Sequence, residues 1–200
     1  MIHLSDGSQL HIHFRMNGDW EFTHVSEPLP RFARVTFDLD NGARVSLTDS
    51  RALCTVRYHA PGRPPVLALG PEADNPALTG DVVRRSLATK RGPIKAALLD
   101  QRVIAGIGNI YACEALWRSR ISPSATAGAL SLARVKRLLT GLRAALADGV
   151  RNAGHYRTGG RVTPFKVYDR EGEPCDRCAT KIRRIVQAGR STYYCANCQR

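Results

Sequence analysis

The residues with the most definite chemistry stand at the end of the 200-residue chain, where Cys175-x-x-Cys178 is followed, sixteen residues on, by Cys195-x-x-Cys198. Each pair can turn two thiolates toward one tetrahedral ion, and the intervening stretch is long enough for a hairpin that brings the pairs together. Zinc suits four thiolates, since it tolerates soft ligands and has no redox chemistry of its own. A thioredoxin-like use of Cys-x-x-Cys needs a βαβ pattern, which does not surround these pairs. Two disulfides need an oxidising compartment, and the opening Met1-Ile2-His3-Leu4-Ser5-Asp6 does not read as a secretory signal. Cys54 and Cys113 stand alone in apolar surroundings and read as packing residues.

A second candidate lies in Gly106-Ile107-Gly108-Asn109. Glycines let a backbone approach a partner closely, and free N–H groups at a helix N-terminus attract anions. Asn109 can add its side-chain amide to a phosphate. The likeness to a dinucleotide fingerprint fails, because the third glycine is out of register and no βαβ unit surrounds it. Tight helix packing is the other use of such glycines. His11 and His13 share one strand face, as metal ligands can, but without an evident third ligand they read as exposed strand histidines.

Charge narrows the partner. The chain carries +13 with a pI near 10.1, which points to a polyanion, most often nucleic acid. The last fifty residues hold 11 Lys and Arg against 4 Asp and Glu, so +7 of the total lies around the cysteines and +6 in the first 150 residues. No apolar run approaches the ~18 residues of a membrane span, and a cytoplasmic protein with reduced cysteines is expected.

These groups need elements to position them. Leu10, Ile12 and Phe14 alternate with polar residues, as do Val35, Phe37 and Leu39, and Val45 and Leu47 begin a return strand after the Asp40-Asn41-Gly42 turn. Asp6-Gly7 is a similar turn. Five prolines and two glycines mark a linker over 59–76. Helices are expected over 78–89, from Pro93 to 101, over 108–119, and from an N-cap at Ser131 to about Asn152, the last with an apolar stripe from Leu132 to Leu146. A loop follows over 154–165. Residues 181–186 and 190–195 read as hairpin arms around Gln187-Ala188-Gly189. The fold class is α+β, divided as 1–60 for the β part, 61–76 for the linker, 77–155 for the helical part, and 156–200 for the loop and four-cysteine finger.

From Leu98 to Pro123 the chain resembles the helix–two-turn–helix element of the formamidopyrimidine-DNA glycosylase / endonuclease VIII family. The stretch from Val167 to Cys178, with Ile182, Arg190, Tyr194, Cys195, Cys198 and Gln199, is similar to that family's zinc finger. The resemblance implies a partial antiparallel β-sandwich, a helix–two-turn–helix domain and a C-terminal β-hairpin zinc finger holding one structural zinc on Cys175, Cys178, Cys195 and Cys198. It implies a monomer that binds double-stranded DNA containing damaged bases or abasic sites in the cytoplasm, associated with the nucleoid. Lys95, Asn109 and Arg190 occupy the positions of backbone phosphate ligands. Arg190 follows a tight turn, so its planar guanidinium can project from a metal-pinned loop and hold phosphate oxygens in a bidentate manner. Met16 stands where the family has a wedge for the gap left by a flipped nucleotide. Arg51 and Leu53 match the loop that contributes the other fillers. Ala52 replaces a usual arginine and Leu53 a stacking phenylalanine. These departures, with a short 154–167 segment, lean toward the endonuclease VIII-like branch and oxidised pyrimidines.

The implied activity is that of a DNA glycosylase and AP lyase of base-excision repair. In the family an N-terminal proline attacks the sugar as a neutral amine, assisted by a glutamate and a lysine. Here the first proline is Pro28 and the first lysine Lys90, and the chain opens in a segment resembling the strand after the catalytic lysine. The sequence is therefore expected to lack an N-terminal portion, which leaves a β-sheet partly uncovered. The alternative is a catalytically inactive damaged-DNA-binding protein. A zinc-ribbon protein for RNA or a transcription complex fits the finger and the charge, but leaves the two-turn element unexplained. Glu114 falls at a family-typical acidic position and is read as supporting its helix rather than moving protons.

Overall fold

The computed structural model describes residues 1–151 and 165–200, so most of the expected 154–165 loop, and Asn152, lie outside the described residues. The chain divides into two compact units, Met1–Leu67 and Ala68–Arg200.

The first unit holds two antiparallel three-stranded sheets. One has the order β1 (Ile2–His3), β2 (Gln9–His13), β6 (Thr55–His59); the other has β3 (Asp19–His24), β5 (Ala43–Thr48), β4 (Ala33–Asp38). Gly42, at φ +80°, closes the β4–β5 turn as Asn-Gly chemistry predicts. Strands β3 and β6 are additional to the sequence reading. β3 finds its register only against β5, with Asp19 opposite Thr48, and β6 only against β2, with Thr55 opposite His13. Leu47 is fully buried, and Trp20 packs edge-on against Phe14 and Phe37. Phe22 is nevertheless 72% exposed, and Met1, Ile2, Ile12, Phe14, Trp20, Phe22 and Val45 line an open cavity of about 300 Å³. An apolar face of this unit is thus uncovered.

Among the described residues the second unit is built on four α-helices: α1 (Gly80–Leu87), α2 (Ile94–Leu98), α3 (Asn109–Arg118) and α4 (Leu132–Arg151). Thr79 caps α1 by accepting the Val82 N–H, and Ser131 Oγ accepts from Arg134 N at the start of α4. Residues 70–71 are tied to the two-turn segment by Gly70 N to Gln101 O and Ala105 N to Pro71 O, at 2.8 and 3.0 Å. The hairpin β7 (Arg183–Gln187) and β8 (Arg190–Tyr194) completes the unit. Among the described residues no helix is long and apolar enough to cross a membrane.

α3 serves two cores at once. Ala112, Ala115 and Leu116 join Val135, Leu138 and Leu142 of α4 in the helical core. Cys113 and Trp117, on its other side, join Val167, Cys175, Ile182, Tyr193 and Cys195 in the core of the finger. Each fully buried leucine contributes about 1.5–3 kcal/mol. The α3–α4 contact is close because α4 presents glycine there. A Cβ on Gly141 would stand 3.0 Å from Ala115 O and 3.2 Å from Arg118 Cβ. Gly141→Val should therefore overpack this contact and lower stability by about 1–3 kcal/mol. Guanidinium denaturation checks this, and an unchanged midpoint would contradict the packing.

Candidate nucleic-acid interface

The two-turn segment is held by the side chain of Gln101. Its Nε2 donates to Leu99 O and Ile107 O at 3.2 and 3.0 Å, and its Oε1 accepts Gly106 N–H at 2.8 Å. Gly106 sits at φ +80°, a conformation that favours glycine. Asp100 braces the same turn through Lys90 Nζ (2.8 Å) and Arg102 Nε (2.9 Å), and these bonds hold its carboxyl well below the usual range. α3 then begins at Asn109 behind Gly108, with no side chain capping it. Its first amides carry the positive end of the helix dipole.

The structure brings Lys95, Asn109 and the residue after Arg190 to one point. Asn109 Nδ2 donates to Ser191 O at 2.9 Å, and Lys95 Nζ lies 3.5 Å from the same oxygen. Lys95 is fully buried. Burial pushes its amine below the ordinary lysine value; Cys113 opposes that shift and the Arg190 cation adds to it. Asn109 Oδ1 is buried without a hydrogen-bond partner. Arg190 itself is exposed and, among the described residues, has no ion pair. It opens β8 opposite Gln187, after Ala188 and Gly189 at φ +48° and +70°, the two positive values of a tight hairpin turn. Gln187 Nε2 ties the other arm to Ser124 Oγ at 3.1 Å. The arginine is thus free at the end of a hairpin fastened on both arms.

The four cysteines converge behind this hairpin, their sulfurs all within 4.8 Å of one another. Cys178–Cys198, Cys178–Cys195 and Cys175–Cys198 separations are 3.4, 3.5 and 4.0 Å. Zinc–sulfur bonds of about 2.3 Å in a tetrahedron require about 3.8 Å. Hydrogen bonds from Thr180 and Asn197 pull the Cys178 thiol down to about 5, whereas burial among the other thiols pushes Cys198 up to about 12. Four protein ligands leave no position for a reactive water, so the zinc that fits here is structural.

Glu114 does a different task from the one the sequence indicates. It is buried, and its carboxylate accepts the backbone N–H groups of Lys166, Val167 and Tyr168 at 2.9–3.0 Å. It therefore fastens the entry of the finger to α3. Gln101 and the Ser191 carbonyl were likewise missed. A main-chain acceptor leaves no trace in residue types, and an isolated glutamine has no spacing signature.

In the first unit, Met16 is 77% exposed on the β2–β3 turn and Leu53 50% exposed before β6. The pairing of His13 with Thr55 and of Asp19 with Thr48 places both turns at the same end of the sheets. Buried Asp49 shapes the second turn, accepting Arg51 N at 3.0 Å, Leu53 N at 2.6 Å and Cys54 N at 2.8 Å. Burial raises its carboxyl, but these three donors bring it below the usual aspartate value. Ala52 is at φ +54°, and Arg51 is exposed. Cys54 is half-buried beside Asp49 rather than a core residue.

Three family profiles match successive parts of the chain: the formamidopyrimidine-DNA glycosylase N-terminal domain over 1–56, the formamidopyrimidine-DNA glycosylase H2TH domain over 69–159, and the zinc finger found in FPG and IleRS over 172–200. The formamidopyrimidine-DNA glycosylase of Chloroflexus aggregans is 42% identical over 215 residues, covering 100% of this chain and 76% of the relative. The crystal structure of the MutM (Fpg) protein of Thermus thermophilus superimposes with a TM-score of 0.83 at 35% identity, covering 98% of this chain and 77% of that one. The Lactococcus lactis enzyme in complex with Fapy-dG-containing DNA gives 0.86 at 27% identity, covering 98% and 76%. These relatives bear the formamidopyrimidine name, not that of the endonuclease VIII-like branch toward which Ala52 and Leu53 lean. The turn carrying those residues is shaped by Asp49 and backbone bonds, so its tip side chains can vary without changing its path.

Glu114→Ala should leave the buried N–H of Val167 and the partly buried N–H groups of Lys166 and Tyr168 without a partner and cost roughly 3 kcal/mol. Thermal denaturation of the zinc-loaded chain checks the cost. Duplex affinity should fall as well, although Glu114 itself lies away from Arg190; a variant with wild-type melting and affinity would refute its fastening role.

Proposed function

The chain belongs to the formamidopyrimidine-DNA glycosylase family, and from that premise we propose that Lys95, Asn109 and Arg190 close on one backbone phosphate of duplex DNA carrying an oxidised base or an abasic site. The observation that carries this reading is the convergence of Lys95 and Asn109 on Ser191 O, next to a free Arg190. A buried ammonium without an acidic partner, the Asn109 Nδ2 donor, uncapped helix amides and an unpaired guanidinium form a set of donors suited to an anion. Met16, Arg51 and Leu53 fill the gap left by the flipped nucleotide. The family name and the Fapy-dG complex of the Lactococcus lactis relative support oxidised purines as the lesion class. A net charge of +13 supports residence on the nucleoid.

The function is that of a DNA glycosylase and AP lyase. This chain's residues grip the backbone, hold the duplex open and orient the lesion. Zinc, when bound, supplies rigidity and no reaction step. The amine attack on the sugar is assigned to no residue of this sequence.

Fluorescence anisotropy with an abasic-site duplex tests the grip. Arg190→Ala and Asn109→Ala should each weaken binding about tenfold to a hundredfold, the worth of a charge-assisted contact. Undiminished affinity in both would refute it. Lys95 adds a pH signature. Its amine loses its proton at lower pH than an ordinary lysine, so phosphate affinity should fall as pH rises through that lowered value, with proton uptake on binding. Lys95→Met should bind more weakly and lack this limb; an identical profile in both proteins would exclude Lys95 as a ligand.

A further inference from the structure

The indole of Trp117 has one donor, and a buried indole N–H needs an acceptor. Trp117 is 5% exposed in the last turn of α3, and its Nε1 donates to Cys175 Sγ at 3.4 Å. Its acceptor is therefore a zinc-ligand sulfur. The same knuckle returns to the same helix end through Arg177, whose guanidinium carbon lies 3.7 Å from the centroid of the Trp117 ring. Arg177 NH1 donates to Trp117 O at 2.6 Å and NH2 to Arg118 O at 3.3 Å. These are end carbonyls of α3, where a cation is favoured.

We propose that Trp117 is a positioning residue for the zinc centre: its indole N–H, with Arg177 stacked on the ring, hydrogen-bonds the Cys175 thiolate and so fixes the metal, and the hairpin it pins, to α3. Zinc with four thiolates carries a net charge of −2. A donor aimed at one sulfur withdraws electron density from it, and the Arg177 cation over the ring offsets the remaining charge. The bond lowers the basicity of Cys175 and slows its exchange for competing ligands. It also places the zinc at one end of α3 while Asn109 holds Ser191 at the other. The eight residue steps of helix from Asn109 to Trp117, about 12 Å, therefore separate the two attachments.

The inference concerns the four-cysteine centre alone and stands apart from the lesion chemistry, so its tests are read on the metal. Trp117→Phe keeps an aromatic body beneath Arg177 and removes only the donor. Zinc loss to a chelator should accelerate about tenfold or more, as when a partner of a metal ligand is removed. In the cobalt-substituted chain the sulfur-to-metal charge-transfer band should move to longer wavelength, because an unbonded thiolate donates more readily. Arg177→Met should shift both readouts in the same direction by less. A lower melting temperature with unchanged band and release rate would show that Trp117 merely packs, and would overturn the proposal. The wild-type chain gives a test that needs no variant. With cadmium-113 in place of zinc, the Trp117 indole proton should show scalar coupling to the metal through the N–H···S bond. Absence of that coupling in the metal-loaded protein would also overturn it.

Discussion

The carbonyl of Ser191 accepts Asn109 Nδ2 at 2.9 Å and lies 3.5 Å from Lys95 Nζ. It is the point at which the finger touches the two-turn element. It adds to the Gln187–Ser124 bond and the packing of Tyr193 on α3 a polar contact immediately beside Arg190, and so fixes where β8 begins. The remaining contacts of the finger read as means of keeping that carbonyl in place. Glu114 holds residues 166–168, Trp117 and Arg177 hold the first knuckle, and Gln199 holds the second by bonding Ile121 O and Cys195 N at 2.9 and 2.8 Å. Positions 109, 113, 114 and 117 recur at helical spacing, so one stripe of α3 makes these attachments.

This arrangement leaves a charged group under stress at the proposed phosphate site. Lys95 is an ammonium in a dry site whose nearby acceptor is a neutral carbonyl. Burial of such groups is unfavourable by itself. On the proposed reading, a phosphate oxygen accepting from Lys95 Nζ and Arg190 would convert the ammonium's cost into binding, because its desolvation is already complete before DNA arrives. Packing of the two cores that share α3 supplies the stability that tolerates it.

What the sequence made legible follows from what has a spacing. Four cysteines, helical apolar stripes, turn glycines and alternating strands each imprint a period, and those elements were foreseeable. Strands β3 and β6 were not, because each is defined by a partner distant in the chain rather than by its own alternation. The candidate phosphate ligands could be named from resemblance, but their meeting point could not, since it is a main-chain oxygen. Glu114 shows the intermediate case: its place on α3 was readable, but its partners, three consecutive backbone amides, were not.

The turn around Asp49 separates backbone path from residue identity at the end of the first unit that carries Met16 and Leu53. One buried carboxylate gathers the amides of Arg51, Leu53 and Cys54, and this fixes the backbone whatever side chains ride on it. Ala52 occupies a left-handed conformation there at φ +54°, a geometry imposed by the loop and not chosen by alanine. The path of the turn and the chemistry of its tip are thus set by different residues. Asp49 maintains the shape, and the tip is left open to change. In the proposed grip no such separation exists, because Lys95 and Asn109 are both proposed ligands and part of the structure that places the Arg190 hairpin. On the proposed reading, lesion preference can therefore drift within this fold while the hold on the backbone stays the same.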